Sequence, residues 1–318
     1  PESVGAATVN KMCGSGMKAV MDAADMIAAG SADIMVAGGM ESMTNAPYLL
    51  AKARGGFRMG HGEVKDSMFL DGLEDAYEPG RLMGSFAEDC AERYQFTREA
   101  QDAYAIRSLE RALHAIETGG FDTEVTPVTV AGRKGDSVVG TDEQPGTAKA
   151  DRIPTLKPAF RKDGTVTAAN ASSISDGAAA LVLMRESEAE TRGVTPLARI
   201  VGHATHAQAP AWFSTAPIPA SEKLLERIGW QADDVDLWEV NEAFAVVAMA
   251  AIRDLRLGDE KVNVNGGACA LGHPIGASGA RILTTLLHAL KARGGKKGVA
   301  AICIGGGEAT AVAVEMLN

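Results

Sequence analysis

Apolar residues recur at helical spacing in two places along the chain, each time just after a glycine-bearing turn. In the first, Met17, Val20, Met21, Ala24, Ile27 and Ala28 predict a helix that stops at Gly30. The short apolar run Ala6–Val9 before it predicts a buried strand, with Cys13 to Gly16 as the turn. Asp33 to Ala37 predicts a second strand ending at Gly38-Gly39, so this part reads as a βαβ unit. In the second, Lys261 to Val264 reads as strand and Gly266 to Gly279 as a glycine-rich turn. Ile282, Leu283, Leu286, Leu287 and Leu290 mark a helix ended by Gly294-Gly295, and Val299 to Ile304 is the strand that runs into Gly305-Gly306-Gly307. Val9-Asn10 before one turn matches Val264-Asn265 before the other. The repeat is too long for a solenoid and predicts two duplicated α/β halves.

Between the halves, residues 44–174 hold most of the charged and turn-rich sequence and read as an inserted loop domain over the mouth of a site. Helices are expected over 86–95 and 99–117, the latter with Thr97 as its N-cap. Ser175 to Arg185 returns to strand, Pro217-Ile218-Pro219 leads into a helix capped near Ser221, and the strand Asp236–Val240 is followed by a helix beginning at Asn241. The expected domains are 1–43 with 175–195 as the N-terminal half, 44–174 as the insertion and 196–318 as the C-terminal half.

A chain of 318 residues can bury a sizeable core. Its 31 Lys and Arg against 41 Asp and Glu give a formal charge of −10, which argues against a general nucleic-acid binder. No apolar run reaches the ~20 residues of a membrane span and no secretory signal is visible. The four cysteines, Cys13, Cys90, Cys269 and Cys303, form no C-x-x-C pair, so reduced thiols in a cytoplasmic setting are the simplest reading. His203 and His206 stand three apart, but no carboxylate partner is evident for a metal, and no metal site is expected. Cys269 between two alanines reads as filler, and Cys90 has no base in view. No Gly-Lys-Ser/Thr follows the glycine runs, so they are not phosphate loops.

The chemistry concentrates in four motifs: Lys11-Met12-Cys13-Gly14-Ser15-Gly16, Asn241-Glu242-Ala243-Phe244, Gly272-His273-Pro274-Ile275-Gly276-Ala277-Ser278-Gly279 and Cys303-Ile304-Gly305-Gly306-Gly307. A thiol works as its thiolate, which a helix N-terminus favours, and Cys13 sits at such a junction. From spacing alone Cys13 reads equally well as a small buried hydrophobe, His273 as a satisfied structural histidine, Cys303 as inert core and Asn241 as an N-cap. Taken together, the motifs suit acyl transfer through a thioester.

Together they resemble the thiolase family, over nearly the whole chain. The resemblance implies a thiolase-like α/β/α/β/α fold and an acyltransferase that condenses two acetyl-CoA to acetoacetyl-CoA and runs the reverse thiolysis. It implies Cys13 as the acylated nucleophile, His273 as its activator and a donor to the enolate oxygen, and Cys303 as the general acid/base. Asn241 would hold an oxyanion-hole water, and the N–H groups of Cys13 and Gly305 would form a second hole. Around the pantetheine it places Ser172, Leu73, Met83, Phe160, Ala243 and Phe244, each of the apolar ones being equally readable as core. Coenzyme A enters as substrate and product, with no resident cofactor. Two positions depart from the family pattern: Leu82 stands where histidine is common in acetoacetyl-specific members, and Pro145 falls about where an arginine often lies near the adenine. A broader-chain 3-ketoacyl-CoA thiolase of fatty-acid degradation is therefore the second reading. The polar, glycine-rich Arg54–Gly60 loop resembles the family's tetramerisation loop, so a homodimer or homotetramer is expected. Only twelve residues precede Cys13, fewer than in the family, which implies an N-terminally incomplete sequence. An inactive thiolase-like binding protein is the non-enzymatic alternative.

Overall fold

The computed structural model describes residues 2–133 and 135–317, so the expected domain limits at 1 and 318 lie outside the described residues. Helix α1 (Ser15–Ala28) leads to strand β1 (Ile34–Ser42). Two short hairpin pairs follow, β2 (Tyr48–Leu49) with β3 (Lys65–Asp66) and, beyond helices α2 (Met83–Tyr94) and α3 (Arg98–Glu117), β4 (Val128–Val130) with β5 (Ser137–Val139). Then come α4 (Glu143–Thr147), β6 (Asp176–Met184), α5 (Glu186–Arg192), β7 (Ala198–Ala207), α6 (Pro217–Ile228), β8 (Leu237–Val240) and α7 (Ala245–Asp254). The chain closes with α8 (Ala268–Leu271), α9 (Ile275–Arg293), β9 (Lys297–Ile304) and β10 (Glu308–Met316).

Four strands form one sheet in the order β7-β10-β9-β8, with β8 and β9 parallel and the other pairs antiparallel. Alternation along β9 explains its two-sided core. Val299, Ala301 and Cys303 face the cluster built by α2, α6 and α7, while Ala300 and Ile302 face Met17, Val20, Ile282 and Leu286 of α1 and α9. On the far side of α1 and α9 lies the antiparallel pair β1–β6, whose outer face carries exposed Val36, Met40 and Val182. The mixed α/β stack expected from the sequence is present.

The two periodic helices are where the pattern put them, and they touch. A Cβ on Gly16 would lie 2.8 Å from the Ala280 backbone nitrogen, and one on Gly279 would strike Met17, so the two helices cross backbone to backbone through glycine. Gly38 and Gly39 lie inside β1 rather than ending a strand. Gly39 needs its hydrogen because a Cβ there would collide with the Gly276 carbonyl at the start of α9. Gly39→Ala is expected to cost about 1–3 kcal/mol through overpacking, measurable in urea unfolding, and to lower activity by pushing α9 away.

Several expectations fail for identifiable reasons. Ala6–Val9 is not a strand: it is exposed and has no ladder partner among the described residues. Lys261–Val264 is not one either. Val262 makes only an isolated bridge to Trp238, and the Asn263 side chain replaces a strand by accepting from Val240 N (2.8 Å) and donating to Val240 O (2.8 Å). The stretch 266–279 is not all turn, since it contains α8 and the start of α9. Asn241 does not begin a helix: its N–H donates to Ala301 O, and α7 starts at Ala245 with Phe244 as N-cap. Ser221 lies buried inside α6, which starts at Pro217, where a missing N–H costs nothing. Thr97 does cap α3, accepting from Ala100 N at 3.2 Å. Strands β7 and β10 are absent from the sequence expectation.

Candidate active site

The turn bearing Cys13 is tightly pinned. Met12 adopts φ 45°, a left-handed conformation that costs a non-glycine residue about 1–3 kcal/mol and persists only when its surroundings enforce it. Here Asn10 Oδ1 accepts from Met12 N (3.0 Å). Ser15 Oγ accepts from Lys11 N (2.8 Å) and donates to Met12 O (2.7 Å), and Lys11 pairs with Glu308. The result is a one-turn helix, Met12–Gly14, running straight into α1, with half-buried Cys13 at the junction. A Cβ on Gly14 would collide with Ile304, so only glycine lets the turn approach the end of β9.

Burial pushes the Cys13 thiol up. The N–H groups of Gly305 and of Cys13 itself act on the sulfur in the opposite direction, and the Glu41 carboxylate adds a smaller upward push. Cys13 therefore rests as a thiol and needs a base to become a nucleophile.

His273 supplies a base of defined tautomer. It is 7 % exposed and immediately precedes Pro274, the N-cap of α9. Ser278 Oγ donates to Pro274 O (3.0 Å), so toward His273 it acts as acceptor, which places the imidazole proton on Nδ1. Nε2 then carries the lone pair, and it is buried without a protein partner. Burial, reinforced by the Arg281 charge, lowers the His273 pKa to about 4. The basic form is lost only as pH falls through that value. Acylation of Cys13 is thus expected to show no histidine-derived acid limb above about pH 5, as read by rapid-quench mass spectrometry.

Cys303 and Asn241 come from neighbouring parallel strands. Cys303 is fully buried on β9, and its pKa is raised well above the ordinary thiol value by burial, with a further upward push from Cys13. Asn241 extends β8 beside Ala301. Its side chain is buried, yet neither Nδ2 nor Oδ1 has a protein partner. An amide in that state suits a small polar guest.

The structure places the remaining predicted residues as follows. Met83 Sδ lies 3.3 Å from where a Gly305 Cβ would be, and Phe160 packs edge-on to Phe244 with ring centroids 6.0 Å apart. Met83, Phe160, Ala243 and Phe244 share one apolar cluster with Cys303. Ser172 donates both its N–H and its Oγ–H to Ala243 O, at 3.0 and 2.9 Å. Leu73 ends a turn whose Gly72 packs against Ile275, two residues beyond His273. Leu82 is half-buried at the N-cap of α2, beside Met83, and Pro145 is buried in α4.

The pair His203 and His206 lies away from this group on β7. His203 does have a carboxylate neighbour, Asp25 at 2.9 Å, contrary to the sequence expectation, while His206 meets Lys223 and Gln208. Among the described residues no group of three or more His, Cys, Asp or Glu could hold a metal, and no helix is long and apolar enough to cross a membrane. Burial raises the Cys90 thiol to about 11. Sequence reasoning missed Asn10, Ser278 and Glu242. All three sit within the quoted motifs or beside them, and all act through hydrogen bonds that only the folded chain defines.

The turn bearing Cys13 thus packs against α9, which His273 precedes, and against β9, which carries Cys303, while α9 also packs on β8, which Asn241 extends. The family models described as thiolase, N-terminal domain, and thiolase, C-terminal domain, match residues 1–187 and 194–316. This chain belongs to the thiolase family. It is 53% identical over 319 residues to the acetyl-CoA acetyltransferase of Escherichia coli K12, covering 100% of this chain and 81% of that one. It is 51% identical over 320 residues to the protein of the same name from Thiocystis violacea, with the same coverage. The solved acetyl-CoA acetyltransferase of Bacillus anthracis superposes with a TM-score of 0.96 at 46% identity, over 100% of this chain and 80% of that one.

Proposed function

We propose that this protein is an acetyl-CoA C-acyltransferase that condenses two acetyl-CoA molecules and catalyses the reverse thiolysis. The observation that carries the reading is the close approach of the Cys13 turn to the end of β9, where Gly14 meets Ile304 between Cys303 and Gly305. His273 Nε2 takes the Cys13 proton, and the thiolate attacks the first thioester carbonyl. The oxyanion sits under the N–H groups of Cys13 and Gly305; one such donor contributes about 2.7–4 kcal/mol in comparable sites. Cys303 protonates the departing CoA thiolate and, as a thiolate, removes a methyl proton from the second acetyl-CoA. The carbanion attacks acetyl-Cys13, the new C–C bond forms, and the Cys13 thiolate leaves to recover its proton.

Protonated His273 and a water on Asn241 stabilise the enolate oxygen. Ser172, Leu73, Met83, Phe160, Ala243 and Phe244 line the path of the pantetheine. Coenzyme A serves as substrate and product, and no resident cofactor or metal takes part. Four free cysteines fit a reducing compartment such as the cytoplasm. The fully exposed 54–60 loop, with Met59 99% exposed, fits an assembly contact in a homodimer or homotetramer.

A broader-chain specificity is favoured by one observation: half-buried Leu82 beside Met83 offers an apolar wall in place of an imidazole. Thiolysis rates with acetoacetyl-CoA and a medium-chain 3-ketoacyl-CoA decide between the two. A higher kcat/KM for acetoacetyl-CoA supports the acetyl-specific reading, and the reverse order contradicts it.

A further inference from the structure

We propose that Glu242 is the positioning residue that fixes the Asn241 amide in the site, an inference that rests on the thiolase reading. Asn241 has no protein partner for its own side chain, so nothing at its tip orients it. Its aim is inherited from the backbone of 241–244, and the next residue is the clamp on that backbone. Glu242 is 1 % exposed, and its carboxylate receives four hydrogen bonds from three separate segments. Oε1 accepts from Tyr104 OH (2.9 Å) and Asn263 Nδ2 (2.9 Å). Oε2 accepts from Ser108 Oγ (2.7 Å) and the Cys269 N–H (3.0 Å).

The partners are themselves fixed. Ser108 Oγ also accepts from Gly267 N (3.0 Å), and Asn263 is doubly bonded to Val240, immediately before Asn241. A Cβ on Gly267 would collide with the carboxylate, so the 266–267 turn closes directly over it. One carboxylate thus ties the Asn241 segment to α3 and to the stretch leading to His273. It does so with no cation among its four donors. Burying an anion this way is costly unless every lone pair is used.

Neutral isosteres cannot reproduce the arrangement. With a glutamine amide nitrogen at the Oε1 place, Tyr104 OH can turn round to accept but Asn263 Nδ2 cannot. With it at the Oε2 place, Ser108 can turn round but the Cys269 N–H cannot. Either orientation sets two N–H donors against each other beside Asn241.

The experiment separates the two half-reactions in the wild-type protein, in Glu242→Gln, in Asn241→Ala and in the double variant. Cys13 acetylation by acetyl-CoA is followed by quenched mass spectrometry, and condensation by steady-state kcat and KM. Acetylation uses the N–H groups at Cys13 and Gly305 and is expected to stay within about threefold in Glu242→Gln. Condensation is expected to lose on the order of 10²-fold in kcat with little change in KM. The double variant is expected to be no slower than Asn241→Ala, since Glu242 acts through Asn241. Ser108→Ala and Tyr104→Phe keep the carboxylate and remove one donor each. If Glu242→Gln does not fold, a selective loss of condensation in these two carries the same test. Equal losses in both half-reactions, unchanged condensation, or additive losses in the double variant would overturn the inference. A folded wild-type protein that never acquires acetyl on Cys13 would overturn the thiolase reading itself, and the inference with it.

Discussion

Cys13→Ala is expected to leave no covalent acetyl adduct and to lower condensation and thiolysis alike by about 10⁴-fold or more. The size follows from the route, because without the sulfur no acyl-enzyme forms and neither direction has an intermediate to pass through. The fold should survive. Cys13 is only half-buried, and the hydrogen bonds that enforce the turn belong to Asn10, Lys11, Met12 and Ser15 rather than to the thiol. Unfolding curves that match the wild type, together with lost turnover, are the expected pair. A Cys13→Ala variant with near-normal turnover would place the nucleophile elsewhere.

Cys303→Ala is expected to split the reaction. Condensation should fall by about 10²–10⁴-fold, the range for a general acid/base, while Cys13 still acquires acetyl, more slowly because the CoA thiolate leaves without its acid. The electrostatics set this order. Before acylation, negative charge developing on Cys13 raises the Cys303 thiol further, so Cys303 holds its proton and serves as an acid. Once Cys13 is a neutral thioester that smaller push is gone, while burial, the larger cause of the raised Cys303 pKa, remains. Removing the thiol should therefore trap acetyl-Cys13, visible as a long-lived adduct. Rapid disappearance of the adduct with normal acetoacetyl-CoA formation would exclude Cys303 as the base.

Much of the catalytic end was legible because its local rules are strong. A chemistry-bearing side chain, a glycine-bearing turn and a helical repeat are contiguous at Cys13–Ala28, and again at His273–Arg293, and both helices formed as the spacing indicated. The failures came where a local pattern needed a distant partner. Ala6–Val9 has strand-like residues but no ladder among the described residues. At Asn263 a side-chain amide does the work of a backbone strand, which no periodicity reveals. Strand β10 is a largely apolar run, interrupted by Thr310 and with Glu308 and Glu315 near its ends, and carries no turn signal of its own beyond Gly305–Gly307. The antiparallel return to β7 is set by register alone. Within the site, the tautomer of His273 depends on Ser278 five residues later, and the hold on Asn241 depends on donors from α3 more than 130 positions away in sequence. Sequence spacing exposes the chemistry-bearing side chains. It does not expose the buried partners that aim them.

The most direct test is peptide mass spectrometry after brief exposure of the folded protein to acetyl-CoA. An acetyl group on the peptide containing Cys13, released by added coenzyme A, is the predicted result. A protein that turns over its substrate while that peptide stays unmodified, or that carries its acetyl group on Cys303, would contradict the account.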